Sequence, residues 1–197
     1  MELANEQKDT AEKLSNIFRV FQHSKGAIRP HAILTGPSGA GKSFLVKSLA
    51  KKYKMKCIEV NAAQITKEGM SGNSLSKALT PLKDTGGAPT VIFVDEFDKL
   101  FVSGNTNSSY HSEATIGVQN EFLHILESDT ASVIGNFGHY DNVPCGNVLF
   151  VFAGAFNGQL DLSVDELRGF GVKTEFLGRV GLIYNLGNLS IESMLDV

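Results

Sequence analysis

A glycine-rich segment constrains the fold of this chain most, because it matches the pattern G-x-x-x-x-G-K-[ST] of phosphate-binding loops. The segment consists of Gly36, Pro37, Ser38, Gly39, Ala40, Gly41, Lys42 and Ser43. An apolar run at 31–35 precedes it, as expected of a buried strand, and apolar residues at helical spacing follow it to about Tyr53. A phosphate-binding loop requires this order of strand, loop and helix, so we expect the segment to bind a nucleotide phosphate.

The residue types of the loop indicate how it would bind. Glycines at 36, 39 and 41 allow backbone N–H groups to face a phosphate, and the helix that begins there adds a favourable dipole. Lys42 is expected to neutralise the charge of the β- and γ-phosphates, and the Ser43 hydroxyl to complete a Mg²⁺ coordination shell. The predicted nucleotide-binding segment also includes Phe44.

Strand and helix patterns alternate along the rest of the chain. Helical apolar spacing occurs at 8–24, 75–82 and 113–127, and strand-like apolar runs occur at 56–60, 90–94, 147–153 and 180–186. Buried strands that alternate with helices predict a parallel sheet covered on both faces, here a three-layer αβα sandwich of the P-loop NTPase type with five strands. The glycine-containing stretch 135–142 is expected to be irregular. Ligands of such sheets bind at the carboxyl ends of the strands, where Gly36, Asp95 and Asn157 would meet.

Two carboxylates directly follow the third strand pattern. The run at 90–94 ends in Asp95 and Glu96. Beside a glycine loop, an acidic residue at a strand end holds Mg²⁺, directly or through water, and a second carboxylate can polarise the attacking water. Asp95 and Glu96 fit these two roles. We interpret Asp98 and Lys99 as structural residues or as residues that support the metal ligands from behind.

Composition excludes several classes of protein. A net charge of −3 over 197 residues argues against a broad electrostatic grip on nucleic acid. The two cysteines, Cys57 and Cys145, are too few for a disulfide framework or an all-cysteine zinc site, and each is expected to be a small buried apolar residue. The five histidines show no metal-binding spacing. No apolar run is long enough to cross a membrane and the acidic start is no signal peptide, so we expect a cytoplasmic protein without membrane association.

Further segments resemble AAA+ ATPases, and among them the clade of ClpX/HslU-type unfoldases. The glycine loop is similar to the Walker A motif of that clade, and 94–99 is similar to its Walker B motif. The segments 117–119 and 149–156 are also similar to the clade, and 175–179 resembles the box that carries an arginine finger.

The resemblance covers about residues 28–190 and implies a division of the chain. Residues 1–27 would form an N-terminal helix, 28–189 the large, nucleotide-binding AAA+ subdomain, and 190–197 the start of a further helix. In the family a small helical lid domain follows, and we expect it to be absent from this sequence.

The resemblance also implies a function and a set of site residues. It implies an ATPase that binds ATP and ADP with Mg²⁺ and works as a homo-oligomeric ring, usually a hexamer, on protein substrates. Lys42 and Glu96 would be catalytic in the chain's own site, with Asn157 at the sensor 1 position. Arg179 would reach into the neighbouring subunit's site, where a guanidinium stabilises charge on the transferring phosphoryl group.

A predicted pore loop departs from the clade. The clade carries an aromatic–aliphatic pair between glycines in the second strand-to-helix connection. Here Gly69 and Gly72 flank Met70 and Ser71, so methionine replaces the aromatic residue and serine the aliphatic one. Methionine can still grip a polypeptide through soft apolar contact, whereas serine adds little. The alternative interpretation is therefore a connecting loop that does not contact a polypeptide substrate.

Three functions stand as hypotheses at this point. The first is an AAA+ ATPase that remodels or unfolds proteins. The second is an AAA+ ATPase that acts on nucleic acid as a loader or branch-migration motor, and the net acidity counts against it. The third is a nucleotide-gated interaction module with little hydrolysis, which the missing lid favours and Glu96 opposes. A small-molecule kinase would share the glycine loop but not the acidic pair or the 175–179 box.

Overall fold

The computed structural model describes residues 7–65, 74–101 and 109–187. The helices of this part of the chain are α1 (Lys8–His23), α2 (Lys42–Lys52), α3 (Leu75–Ala78), α4 (Ser109–Glu127), α5 (Val164–Gly169) and α6 (Thr174–Val180). The strands are β1 (Ala32–Thr35), β2 (Lys56–Asn61), β3 (Thr90–Asp95), β4 (Thr130–Ile134), β5 (Tyr140–Pro144), β6 (Val148–Gly154) and β7 (Leu182–Asn185).

Five of the strands form one parallel sheet in the order β2-β3-β6-β1-β7. β1 pairs with β6 on one side and β7 on the other, and β3 pairs with β2 and β6. β6 therefore lies between β1 and β3, and the loops after these two strands open at the same edge of the sheet. Helices cover both faces, which confirms the αβα sandwich expected from the sequence.

The central strand β6 shows how both faces are covered. All of its residues are buried. Phe150 and Phe152 belong to an apolar core shared with α3, α4 and α6. Leu149 and Val151 belong to a second core shared with α1 and α2. Burial on both sides explains why this strand is apolar throughout instead of alternating.

The N-terminal helix packs through the stripe that its sequence predicts. Leu14, Ile17, Phe18 and Phe21 are buried along one side of α1. They share a core with the apolar side of α2, the helix that begins at the glycine loop. The packing places α1 directly beside that loop.

Aromatic side chains hold α4 and α6 against the end of β3. The Phe97 ring stacks on Phe176 of α6 with centroids 5.2 Å apart and lies 4.8 Å from Phe152 of β6. Phe122 of α4 lies 5.3 Å from Phe152, edge to face. Such pairs contribute about 0.5–1.5 kcal/mol each beyond the area they bury. The turn that follows Glu96 is thereby tied to both helices.

The expectation for 135–142 is wrong in part. β4 and β5 form an antiparallel hairpin whose register runs from Thr130 opposite Pro144 to Ile134 opposite Tyr140. Only the short connection at 135–139 is irregular. Ala131 and Val133 point into the core, whereas Thr130 and Ser132 are exposed, so the strand has a period of two. The pattern is weak in the sequence because the strand has only five residues and one of its two buried positions is an alanine.

The two cysteines differ in burial. Cys145 is buried as expected, whereas Cys57 is exposed, so that expectation is wrong. Cys57 lies on β2, one of the two edge strands of the parallel sheet. Ile58 and Val60 of β2 occupy the buried side, and Cys57 faces the other way, where coverage of the sheet ends.

Two predicted segments lie outside the described residues. They are the pore loop with Gly69, Met70, Ser71 and Gly72, and the helix start at 190–197. Within the described ranges, no helix has both the length and the apolar character needed to cross a membrane.

Candidate functional site

The glycine loop connects β1 to α2 and depends on glycine at positions where other residues would not fit. Gly36 has φ +145°, and a Cβ there would collide with the carbonyl oxygen of Leu186. The Leu186 N–H in turn donates to the Thr35 carbonyl at 2.8 Å. This hydrogen bond holds the residue that follows β7 against the start of the glycine loop. Gly41 is the N-cap of α2 with φ +79°, in the left-handed region that favours glycine.

The first turn of α2 is arranged to receive an anion. No side chain caps this helix, so its first N–H groups lack a side-chain acceptor. The Lys42 ammonium lies at the same end and donates to the carbonyls of Gly36 and Pro37 at 2.6 and 2.8 Å. Burial lowers the Lys42 pKa, and the carboxylates of Asp95 and Asp98 partly oppose that shift. A phosphate would satisfy both the free N–H groups and the buried ammonium.

A hydroxyl and a carboxylate meet across the end of β6. The Ser43 Oγ donates to the Asp95 Oδ2 at 3.2 Å. Ser43 belongs to the first turn of α2 and Asp95 is the last residue of β3. These are the oxygen ligands that Mg²⁺ takes from protein when phosphate and water supply the others. Among the described residues no group of three His, Cys, Asp or Glu side chains is arranged to hold a metal ion, so a metal here would need such outside ligands.

Glu96 is held in an unusual backbone conformation beside this pair. Its φ is +54°, in the left-handed region, and its N–H donates to the Asp95 Oδ1 at 2.8 Å. The Asn61 amide donates to the Glu96 Oε2 at 3.0 Å, while the Asn61 oxygen accepts from the Ala63 N–H at 2.9 Å. Strained conformations of this kind persist only where neighbouring contacts enforce them, and they cluster at functional sites. Asn61 therefore determines where the Glu96 carboxylate points.

Asp98 joins the acidic turn to the end of β6. Its side chain is 2% exposed, and its Oδ2 accepts from the Phe156 N–H at 3.3 Å. Gly154 passes so close that a Cβ there would lie 2.9 Å from the Asp98 Oδ1 and 2.8 Å from the Phe156 ring. Asp98 thus forms a buried acidic floor, in agreement with its interpretation as structural.

These residues enclose a polar cleft of about 490 Å³. Its lining combines the glycine loop, the acidic turn and the end of β6, namely Ser38, Gly39, Gly41, Lys42, Ser43, Phe44, Asp95, Glu96, Asp98, Lys99, Gly154 and Ala155. A lysine and helix N–H groups lie on one side of the cleft and carboxylates on the other. This arrangement can bind a phosphate chain together with a divalent cation and present a carboxylate to a water molecule.

Two predicted site residues lie elsewhere. Asn157 is exposed, has φ +59° and does not line the cleft. Arg179 lies in the last turn of α6, is 59% exposed and pairs with Glu127 of α4, so it also lies outside the chain's own cleft.

Sequence reasoning missed two residues that shape the site. The signal for Asn61 is weak, since it is only an amide residue at the carboxyl end of a predicted strand. Nothing in the neighbouring sequence indicates that it contacts Glu96. Gln7 is 5% exposed and donates its side-chain amide to the Ala40 carbonyl, which attaches the start of α1 to the glycine loop. A glutamine before a helix has no pattern that indicates this contact.

Comparisons with known proteins agree with this geometry. The model of the ATPase family associated with various cellular activities (AAA) matches residues 32–171. The chain is similar to the ATP-dependent Clp protease ATP-binding subunit ClpX of Treponema denticola, with 28% identity. The gapped alignment of 233 positions covers 90% of this chain and 56% of that protein. It is also similar to ClpX 2 of Wolinella succinogenes, at 25% identity with 86% and 51% coverage. ClpX of Azotobacter vinelandii matches at 23% identity with 86% and 48% coverage. The chain spans about half the length of these curated relatives.

Proposed function

Because the chain belongs to the ATPase family associated with various cellular activities (AAA), we propose that it binds ATP with Mg²⁺ in the cleft and hydrolyses it to ADP. The contact between Ser43 and Asp95 carries this proposal, since it joins the two protein oxygens that would hold Mg²⁺ at the end of the glycine loop. Relatives named as ATP-binding subunits support adenine as the base.

The polar side chains at the centre of the cleft divide this chemistry among them. The α2 N–H groups and Lys42 bind the β- and γ-phosphates, and Lys42 exchanges its two carbonyl acceptors for phosphate oxygens. Ser43 and Asp95 hold Mg²⁺. Glu96, directed by Asn61, orients and polarises the attacking water. Phosphoryl transfer needs this combination of positioning and charge neutralisation more than it needs covalent chemistry.

We further propose that a neighbouring copy of the chain completes the site with Arg179. Arg179 is exposed and lies away from its own cleft, which supports a role in trans. A guanidinium supplied to the transferring phosphoryl group raises the rate by about 10³–10⁵. If every subunit needs an arginine from its neighbour, the sites can all be complete only in a closed ring. We propose a hexamer as its form.

Protein remodelling is the proposed use of the ATPase cycle. Support comes from the relatives, which are named as subunits of an ATP-dependent protease, and the finer assignment as an unfoldase rests on that similarity. Sensor 1 at Asn157 and substrate gripping at 69–72 are parts of the same proposal, as is a cytoplasmic location.

The decisive experiment measures ATP hydrolysis per subunit over a wide range of protein concentration. If Arg179 acts in trans, specific activity should climb steeply as subunits associate. The Glu96→Gln and Arg179→Ala variants should each be inactive, and a mixture of them should recover activity because hybrid interfaces contain one intact site. Arg168→Ala is the matched control, since Arg168 is also exposed and paired with a carboxylate, at 2.6 Å from Asp165.

Other results would count against parts of the proposal. Activity that is independent of concentration and of Arg179 would refute the finger. Tight ATP binding without any hydrolysis would favour the nucleotide-gated interaction module instead.

A further inference from the structure

The geometry points to Glu127 as the residue that positions Arg179 for a neighbouring subunit's site, an inference that rests on the proposed role of Arg179 in trans. The Arg179 Nε lies 2.7 Å from the Glu127 Oε1. Glu127 is the last residue of α4, and Arg179 lies in the last turn of α6. The nucleotide cleft contains neither residue.

The contact uses the inner nitrogen of the guanidinium. Arginine has N–H donors on Nε and on both outer nitrogens. A carboxylate at Nε can reach at most one of the two outer nitrogens, so the N–H groups of the other one remain for a phosphoryl oxygen. A carboxylate that bound both outer nitrogens would compete with the phosphate. Glu127, which approaches from the Nε side, fixes the plane of the guanidinium and leaves at least one outer nitrogen available.

The two helices that carry the pair are held together by buried contacts. Gln119 of α4 is 1% exposed, and its amide donates to the Gly171 carbonyl at 3.1 Å. The Gln119 oxygen accepts from the Lys173 N–H at 2.9 Å, directly before α6 begins. Phe176 of α6 stacks on Phe97 within the aromatic core. The pair is exposed, but the backbones on which it stands are anchored, so Glu127 can orient the arginine reproducibly.

If Glu127 positions Arg179, its removal should affect one particular subunit of each interface. Removal of the carboxylate should matter only in the subunit that donates Arg179, and not in the subunit whose ATP is hydrolysed. An exposed ion pair has a coupling free energy of up to about 1 kcal/mol, which corresponds to a rate change of about fivefold. The change should fall on kcat, while KM for ATP stays the same.

The test uses the mixture of two inactive chains. The Glu96→Gln chain donates Arg179 and cannot hydrolyse ATP, whereas the Arg179→Ala chain hydrolyses ATP and donates no arginine. Glu127→Ala added to the donating chain should lower the recovered rate about fivefold, and the same change in the hydrolysing chain should leave it unaltered. Glu127→Gln retains an amide oxygen of the same reach and should give an intermediate rate. Asp165→Ala, which breaks an exposed pair with Arg168, is the control for the loss of a surface carboxylate.

Each result decides the inference. A recovered rate that does not depend on Glu127 would overturn it and leave the finger intact, and so would an equal loss with the change in either chain. A higher rate would overturn it too, because Glu127 would then restrain the arginine. If mixtures with Glu127 intact recover no activity, the proposed role of Arg179 in trans fails, and the positioning role falls with it.

Discussion

The imidazole of His31 should make the folded state sensitive to acid. His31 precedes β1 and is 4% exposed. Its Nδ1 accepts from the Phe150 N–H at 3.0 Å, and the two rings meet edge to face at 5.6 Å. Burial, aided by the charge of Arg29, lowers the His31 pKa from 6.5 to about 3. Protonation of Nδ1 would also remove the acceptor of the Phe150 N–H.

The size of the effect follows from these two pKa values. Below 6.5 the unfolded chain takes up a proton on His31, whereas the folded chain remains neutral until about 3. Unfolding is therefore favoured as the pH falls, and this one group should lower the free energy of unfolding by about 2 kcal/mol between about pH 7 and about pH 5. That loss is a large part of the stability of an ordinary domain.

The assay compares the wild type with His31→Asn by urea unfolding at several pH values. The asparagine oxygen can accept from the Phe150 N–H, but the side chain does not titrate. Loss of the ring should cost a constant amount at every pH, because the cavity does not depend on protonation. The difference in unfolding free energy between the two proteins should consequently shrink by about 2 kcal/mol from about pH 7 to about pH 5.

A matched control separates this effect from general acid sensitivity. His139→Asn removes an imidazole that is exposed beside the β4–β5 hairpin and should behave as the wild type does. Stability curves for wild type and His31→Asn that run parallel over this pH range would refute the reasoning, as would a wild-type His31 that titrates near 6.5 by NMR.

Three further changes have defined outcomes. Gly154→Ala should lower the free energy of unfolding by about 1–3 kcal/mol, because the new methyl group has no room beside the buried Asp98. Urea unfolding measures this change, and an unchanged midpoint would mean that the end of β6 shifts without cost. Asn61→Ala should lower kcat by a factor of about 10–100 while ATP affinity stays within about twofold, since a hydrogen bond to the charged Glu96 contributes about 1.5–3 kcal/mol. Steady-state kinetics and nucleotide titration measure the two quantities, and a parallel loss of affinity would contradict a role confined to Glu96. Gln119→Ala should cost about 1–3 kcal/mol of stability, because it removes two hydrogen bonds that each contribute about 0.5–1.5 kcal/mol. Thermal unfolding that matches the wild type would argue against that anchoring.

The structure connects the chain's own cleft to the residue proposed to serve its neighbour. Phe97 directly follows Glu96 and stacks on Phe176 of α6, the helix that carries Arg179. A shift of the acidic turn would press on a close-packed aromatic core, which transmits strain instead of absorbing it. This continuity is a physical route by which one subunit's site could influence the next.

Local sequence alone determined the five strands of the parallel sheet, the helices α1 to α4 and much of the cleft. It did not indicate the short helices α5 and α6. The glycine pattern predicts the phosphate loop because left-handed backbone, uncapped N–H groups and a lysine are properties of consecutive residues. The apolar runs predict buried strands for the same reason, since burial on both faces leaves no polar positions. Where exposed residues interrupt the pattern, as in the β4–β5 hairpin, the prediction was wrong.

Only the tertiary structure decided how distant residues meet. The order β2-β3-β6-β1-β7 brings Ser43 to Asp95, which is 52 positions away along the chain, and sets Asn61 beside Glu96. It also brings the end of α4 to the end of α6, where Glu127 meets Arg179. Strand order depends on how all the layers of the fold pack together. That packing involves residues far apart in the sequence, so no short segment of the sequence predicts it.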